Sequence, residues 1–402
     1  MHVMSARNRS EFLAVPELVR FSITLNGQGT EGCLLIKTST LTLKYLATLR
    51  HFSITIFRLG GGQLGYGVQV PDDPQAPGTL WSLVGFADEL DALEMCLSQA
   101  STFVYLYNEL AINVAWGSAS LRNSIVLGDK TSIVLHPNQI PTFADEVNAT
   151  LERLKSGGPA ASACAFGLVK IAEWHPIKST LITQNMTAST LNLFDKDEGG
   201  QQEQAAVWLL DTLGFAEAIR SPVVDEPSAP RELTDILLNY EHGPFLFESK
   251  SLTILSRPRL PDRPKLTGDI VKHVRKAVGQ LGGGLKNIRA GLKVTDRSGS
   301  EIHISPNLTA HAIVLVPDLS LLDDVDELGK SLLNDFKSRW NSFLHILDPA
   351  ELLRVVQAAE MIESKGTKVT RLMCFDYYLQ QRYGAATQQQ TAHFSFLLRE
   401  KA

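Results

Sequence analysis

The chain has 402 residues, of which 44% are hydrophobic and 20% charged, and its formal net charge is −5. This length exceeds one ordinary hydrophobic core, so we expect two or three domains. The negative charge excludes a uniformly basic nucleic-acid-binding protein, and the absence of a run of about 18 apolar residues argues against a membrane partner. The first residues lack the apolar stretch of a secretion signal, and the four scattered cysteines form no zinc pattern, so we expect a cytoplasmic protein.

Residues 10–140 have the pattern of a β-rich region. Apolar and polar residues alternate over residues 21–25 and 51–59, which is the period of a half-buried strand. The pair Asn26 and Gly27 directly follows the first of these stretches, and this pair favours a tight hairpin turn. We therefore predict several antiparallel strands in this part of the chain.

Two stretches of this half, residues 83–97 and 142–154, carry apolar residues at helical spacing and predict helices. A charged, glycine-containing stretch at residues 195–200 is the predicted domain boundary. We assign residues 1–197 to a β-rich accessory domain of unknown role and residues 198–402 to a second domain, which ends in a helical extension from about residue 321.

The glycine-rich stretch at residues 60–65 formally satisfies the dinucleotide-binding pattern G-x-G-x-x-G. That pattern needs a helix to begin there, because the helix N-terminus holds the pyrophosphate. Residues 66–71 instead have the alternation of a returning strand. We predict a hairpin loop, and a nucleotide-sensing regulator built on this loop stays as an alternative function.

Residues 203–316 contain five segments whose predicted order is helix, strand, strand, helix, strand. In the second strand, Phe245 to Leu252, side chains alternate between the two faces, so Glu248 and Lys250 lie side by side. Burying two charges costs several kcal/mol unless they are paired or functional. An edge strand whose Glu and Lys face water is the competing interpretation. The first predicted segment is a helix over residues 203–213, with Gly214 as its C-cap. It is followed by strands over 235–238 and 245–252, a helix over 268–281 and a strand over 312–316.

Asp235 has a second interpretation. The run from Pro230 to Leu237 also fits a helix started by proline, with Leu233 and Ile236 on one face. The strand is favoured because Gly243 and the proline after it make a plausible turn into the next strand.

Glu203 early in the first helix, Asp235 on one strand, Glu248-Ser249-Lys250 on the next and Gln280 on the following helix resemble the PD-(D/E)XK nuclease superfamily. The resemblance covers about residues 200–320 and is closest to the restriction-endonuclease and resolvase-like branch. It departs from the family pattern in that no proline precedes Asp235. It implies a mixed α/β fold with a restriction-endonuclease-like αβββαβ core.

The same resemblance implies a catalytic site for phosphodiester hydrolysis that uses Mg²⁺ or Mn²⁺. Two carboxylates from adjacent strands suit magnesium, which prefers oxygen ligands and keeps several waters. Asp235 and Glu248 would bind the metal with the backbone carbonyl of Ser249, and Lys250 would position the attacking water. Glu203 would reach a further metal ligand or its water, and Gln280 would contact metal-site waters or the substrate.

Basic residues are concentrated next to this proposed site. Between Lys250 and Arg297 twelve Lys and Arg stand against three Asp, an excess of nine positive charges. Such an excess is typical of a surface that contacts a phosphate backbone. The predicted nucleic-acid contacts are Lys272, His273, Arg275 and Lys276.

After residue 317 we predict helices in three segments, beginning near residues 323, 341 and 349, with Asp348 and Pro349 as a helix start. They would pack on the second domain or form a subunit interface. The sequence thus predicts a cytoplasmic, metal-dependent endonuclease that acts on DNA in preference to RNA, forms a homo-oligomer and takes part in defence against phage or plasmids. The alternative from another class is a catalytically inactive nucleic-acid-binding or assembly protein that retains the fold.

Overall fold

A computed structural model gives the architecture for residues 11–26, 29–123, 139, 142–155, 163–214, 218–322, 325, 328–364, 368–389 and 391. The protein is a mixed α/β chain with several sheets. It forms two compact units, one of residues 1–179 with 192–194, and one of residues 180–191 with 195–402. Residues 180–191, which lie before the predicted boundary, belong to the second unit.

The first unit is built on one sheet of eight strands, in the spatial order β1-β2-β6-β7-β8-β3-β4-β5. Neighbours are antiparallel except for β2 and β6. Its elements are β1 (Leu18–Asn26), β2 (Gly29–Lys37), α1 (Thr40–Leu49), β3 (His51–Arg58), β4 (Leu64–Val70), β5 (Gly78–Leu83), α2 (Asp88–Ser98), β6 (Thr102–Tyr107), β7 (Asn113–Asn123), α3 (Ala144–Lys155) and β8 (Ala163–Pro176).

Several predictions for this unit are confirmed. Strands β1 and β2 form the predicted hairpin, with Asn26 opposite Gly29. The glycine-rich stretch after β3 is a hairpin loop that leads into the antiparallel β4, so the described residues 51–70 contain no helix start for a pyrophosphate. The helix predicted from residue 83 begins only at Asp88, because Gly78–Leu83 pairs as a strand with β4.

A buried ionic cluster joins the two edge strands of this sheet. Arg20 on β1 donates to the carbonyl of Leu83 on β5 at 2.8 Å and pairs with Glu89 at 3.0 Å. Glu11 accepts from Arg20 Nε at 3.1 Å. The Arg20 side chain is only 2% exposed, so these contacts provide the partners that a buried guanidinium needs.

The second unit is built on a five-stranded sheet in the order β11-β14-β15-β18-β19. Strands β11, β14 and β15 pair antiparallel, whereas β15, β18 and β19 are parallel. Its elements are β9 (Ser179–Ile182), β10 (Ala188–Leu191), α4 (Glu198–Asp211), β11 (Ala218–Arg220), β12 (Val223–Val224), β13 (Arg231–Glu232), β14 (Ile236–Leu238), β15 (Phe245–Ser249), α5 (Arg263–Arg289), β16 (Val294–Thr295), β17 (Glu301–Ile302), β18 (His311–Leu315), α6 (Lys330–Trp340), β19 (Phe343–Leu347), α7 (Pro349–Glu363) and α8 (Arg371–Gln389).

The sheet has an apolar centre because β15 and β18 are buried along almost their whole lengths. Helix α5 is longer than predicted, and its N-cap Asp262 accepts a hydrogen bond from the N–H of Lys265. The helical segment predicted near residue 341 is wrong, since Phe343–Leu347 forms the strand β19 beside β18. The helix predicted at Pro349 is confirmed, with Asp348 as its N-cap.

Candidate active site

Asp235 lies immediately before β14 and continues the strand pairing of the central sheet. Its N–H donates to the carbonyl of Phe247 at 3.1 Å, and its own carbonyl accepts from the N–H of Ser221 at 2.8 Å. The residues before it form the short strand β13 rather than a helix. The helical alternative for Asp235 is therefore wrong, and its side chain stands beside the end of β15.

Three of the predicted site residues meet where β15 ends. Lys250 Nζ lies 2.6 Å from Glu248 Oε2 and 3.8 Å from Asp235 Oδ2. The N–H of Ser249 also donates to Asp235 Oδ2, at 2.6 Å. The Glu248 side chain is only 3% exposed, which excludes the edge-strand interpretation in which this pair faces water.

The electrostatics of this group follow from two carboxylates that share one ammonium. Burial raises the pKa of Glu248 to about 7, and the charge of Asp235 adds to the rise while Lys250 opposes it. Burial also raises the pKa of Asp235, against the opposing effects of Lys250 and the Ser249 N–H. An added divalent cation would therefore relieve a repulsion that the protein itself leaves uncompensated.

The raised pKa of Glu248 predicts a pH-dependent effect of its replacement. Because the pKa of Glu248 is higher in the folded state than its ordinary value of 4.5, ionisation of this carboxyl destabilises the fold. The free energy of unfolding therefore falls as the pH rises from about 4.5 to about 7. Without metal, the free energy of unfolding of Glu248→Gln at pH 8 should therefore exceed that of the wild type, by at most about 3 kcal/mol, and its melting temperature should be higher. Near pH 4 the two proteins should melt together, as thermal unfolding across pH would show. A variant less stable than the wild type at pH 8 would contradict this electrostatic description.

Glu203 lies on α4 and pairs with Arg220, with 3.3 Å between Oε2 and Nη2. Burial raises its pKa, and the charge of Asp235 adds to the rise, so Glu203 belongs to the same electrostatic group. The residue before it, Gln202, ties the helix to the site because its Nε2 donates to Ser249 Oγ at 3.0 Å and to the Leu315 carbonyl at 3.1 Å. No pattern in the sequence pointed to this glutamine.

A cleft of about 500 Å³ opens beside Glu248, between α5 and β13. Lys276 and Gln280, one turn apart on α5, both line it. The other predicted nucleic-acid contacts lie outside its lining: Lys272 and Arg275 are exposed on the same helix, and His273 is half-buried.

Arg231 also lines this cleft and was missed by the sequence. Its Nε lies 2.6 Å from Glu226 Oε1, an oxygen that also accepts from Asn287 Nδ2 at 2.6 Å. The guanidinium lies over Gly283, where a Cβ atom would come within 3.1 Å of Nη2. The ion pair with Glu226 thus fixes the Arg231 guanidinium, while about half of the Arg231 side chain stays exposed.

The donor set at the end of β15 fits a hard cation. In the part of the chain that the structure describes, no three His, Cys, Asp or Glu side chains converge on a metal position. Asp235 and Glu248 nevertheless use only Oδ2 and Oε2 in their hydrogen bonds to described residues, which leaves one oxygen of each carboxylate for another ligand. Magnesium is commonly held by one or two carboxylates plus waters, and these two suit it.

A second polar cluster lies at the opposite end of β18. His311 Nδ1 and His345 Nε2 are 2.9 Å apart, and His311 Nε2 lies 2.8 Å from Asp376 Oδ1. Burial lowers the pKa of both histidines, and each residue is at most 2% exposed. The His311 ring stacks on Phe245 and lies tilted against Phe343, so this cluster belongs to the core.

Neither the family models nor the curated proteins nor the solved structures compared with this chain include a match. Among the described residues, no helix combines the length and apolar character that crossing a membrane requires.

Proposed function

We propose that the second unit is a metal-dependent nuclease with a PD-(D/E)XK-type site. The observation that carries this proposal is the position of Lys250 Nζ, which lies within 4 Å of both Glu248 and Asp235 at a strand end beside a cleft. A structural ion pair in a protein interior is expected to contain one carboxylate for one ammonium. Here a second carboxylate lies near the same ammonium, which neutralises the two only in part. With the separate four-stranded sheet of β12, β13, β16 and β17 set aside, the chain order α4, β11, β14, β15, α5, β18 supports a restriction-endonuclease-like αβββαβ core.

Each residue of the site has a role in phosphodiester hydrolysis. Asp235, Glu248 and the Ser249 carbonyl would hold the cation. When bound, Mg²⁺ or Mn²⁺ would supply a water of lowered pKa and would offset charge on the phosphate. Lys250, oriented by Glu248, donates a hydrogen bond to the water or the phosphate and offsets the charge that develops there.

The walls of the cleft supply the substrate contacts in this proposal. Lys276 is exposed on α5, and Arg231 is held in place by Glu226 on the other wall. A guanidinium fixed in this way suits bidentate binding of a phosphate, whereas a lysine acts as a mobile point charge. In this proposal Gln280 contacts the substrate or waters of the site. Glu203, whose pKa is raised in part by Asp235, contacts a further metal ligand or its water.

The biological setting rests on the family resemblance alone. DNA is the proposed substrate over RNA, because most relatives of this type cut DNA. One site cuts one strand, so double-strand cleavage would require a homo-oligomer. Defence against phage or plasmids, in the cytoplasm, is the proposed role.

The test is metal-dependent cleavage together with metal binding. Supercoiled plasmid should be nicked or linearised by the wild type with Mg²⁺ or Mn²⁺ and stay intact with EDTA. Saturating Mn²⁺ without DNA should raise the melting temperature by about 5 °C or more. This rise should disappear in Asp235→Asn and persist in Glu241→Gln, whose side chain is 79% exposed. DNA binding without cleavage under every metal condition would favour the non-catalytic alternative.

A further inference from the structure

Helix α5 contains an unusual concentration of glycines near the cleft. Gly279, Gly282, Gly283 and Gly284 all lie well inside the helix, which runs from Arg263 to Arg289. Glycine is less favourable than alanine in a helix interior because it has more backbone freedom to lose. Each of these positions therefore calls for a physical reason.

Three of the four glycines are explained by close approach of another part of the second unit. A Cβ atom at Gly282 would lie 2.9 Å from Trp340 Nε1, and one at Gly284 would lie 3.0 Å from the carbonyl oxygen of Leu233. At Gly283 the nearest atom is the Arg231 Nη2 described above. Packing within the protein accounts for these three.

Gly279 has no such explanation. Apart from its chain neighbours and the adjacent backbone of its own helix, no heavy atom of the described residues lies within 4 Å of a Cβ built on it, and it is absent from the described glycines with positive φ. It is exposed and lines the cleft beside Lys276 and Gln280, across from Glu248. Neither packing nor backbone conformation requires glycine here, but the cleft does place it next to the proposed substrate.

We propose that the sugar–phosphate backbone of the bound nucleic-acid strand crosses α5 at Gly279, close enough that a side chain there would displace it. This inference rests on the proposed nuclease function and adds a position that controls how deeply the strand enters. Lys276 and Arg231 stand on the two walls of the cleft, where each can contact a phosphate in the space between them, and the bound cation would offset the carboxylates of Glu232 and Glu248 that also line it. The missing side chain leaves that space open as far as the helix backbone. The reacting phosphate can then approach Glu248 and Lys250.

The chain offers a matched control for this position. Gly268 lies on the same helix, is exposed and also has no heavy atom within 4 Å of a built Cβ. It is eleven residues earlier, which places it about 16 Å along the axis and nearly on the same face. It does not line the cleft. A methyl group at either position should have the same effect on helix stability and a different effect on the substrate.

The experiment compares the wild type, Gly268→Ala, Gly279→Ala and Gly279→Leu. Both alanine variants should raise the melting temperature by about 2 to 4 °C. With Mn²⁺ and a fluorescein-labelled duplex oligonucleotide, Gly268→Ala should keep the wild-type kcat/KM. Gly279→Ala should lower it by about tenfold and Gly279→Leu by about a hundredfold. Fluorescence anisotropy in EDTA should show weaker DNA binding for the Gly279 variants alone.

Two results would overturn the inference while the nuclease proposal stands: equal kcat/KM for Gly279→Ala and the wild type, or an equal loss in Gly268→Ala, which would make the effect one of helix rigidity. A wild type that neither binds nor cuts the oligonucleotide would overturn both proposals. A wild type that binds the oligonucleotide without cutting it would contradict the nuclease function. If the anisotropy were then also equal for all four proteins, the contact of the strand with Gly279 would be contradicted as well.

Discussion

A Lys250→Met variant is expected to cut DNA about a thousandfold more slowly than the wild type. In the wild type the Lys250 ammonium lies 2.6 Å from Glu248 and 3.8 Å from Asp235, so the substitution removes the charge that would face the phosphate in the proposed mechanism. The loss also leaves two buried carboxylates facing each other, and the pKa of Glu248 should rise further. Single-turnover cleavage of a labelled duplex would measure the effect.

Two further variants separate the role of Lys250 from general damage to the fold. Lys265→Met removes a lysine that is 59% exposed and paired with Asp269, and it should leave cleavage unchanged. Lys250→Arg keeps the charge but cannot release a proton, so substantial activity in this variant would assign Lys250 an electrostatic role. A Lys250→Met protein that folds and cuts at the wild-type rate would remove this residue from the mechanism.

Local patterns were sufficient to predict the centre of this site. The strand predicted over residues 245–252 ends at Ser249, but Lys250 continues the extended pairing with Leu315, so period-two alternation still places Glu248 and Lys250 on one face. Asp235 was harder, because Pro230 and the apolar residues after it also fit a helix. The pairing of Asp235 with Phe247 and Ser221 decides for the extended conformation, and those contacts are not visible in the local sequence.

The wrong prediction at β19 has a specific physical cause. Five residues, Phe343 to Leu347, are too few to distinguish a buried strand from a helical turn by periodicity alone. The strand forms because it pairs in parallel with β18, His345 lying opposite Ile313. Parallel pairing joins distant segments, so its signal is absent from the residues themselves.

Arg231 shows the same limit at the cleft. It lies on a two-residue strand whose partner β12 also pairs with β16, about sixty residues later in the chain. Its anchor Glu226 is bound in turn by Asn287 on α5. The basic residues that the sequence groups beside the site begin at Lys250, so Arg231 is not among them. Tertiary contacts alone place Arg231 beside the cleft.

The largest expected loss of stability comes from Arg382→Met in the second unit. Arg382 on α8 is 1% exposed and pairs with Glu351 on α7, which is completely buried, at 3.3 Å. Its Nη2 also donates to the Ile346 carbonyl on β19 at 3.1 Å. Removing the cation leaves a buried carboxylate without its main partner, which costs about 3 to 5 kcal/mol. Thermal unfolding should show a melting temperature lowered by about 10 °C.

The cost is expected to come from the uncompensated charge rather than from lost packing, and a double variant separates these causes. Arg382→Met with Glu351→Gln removes both charges and should recover at least half of the loss, since a neutral pair of similar volume is tolerated in a core. Arg354 provides the comparison: its Nε lies 3.4 Å from Glu351 Oε2 but makes no hydrogen bond to that oxygen, and Arg354→Met should cost less than Arg382→Met because Arg382 then still compensates the buried carboxylate. The opposite outcome is a double variant that loses as much free energy of unfolding as its two single variants together. In that case packing, and not charge, would be the source of the stability at this contact.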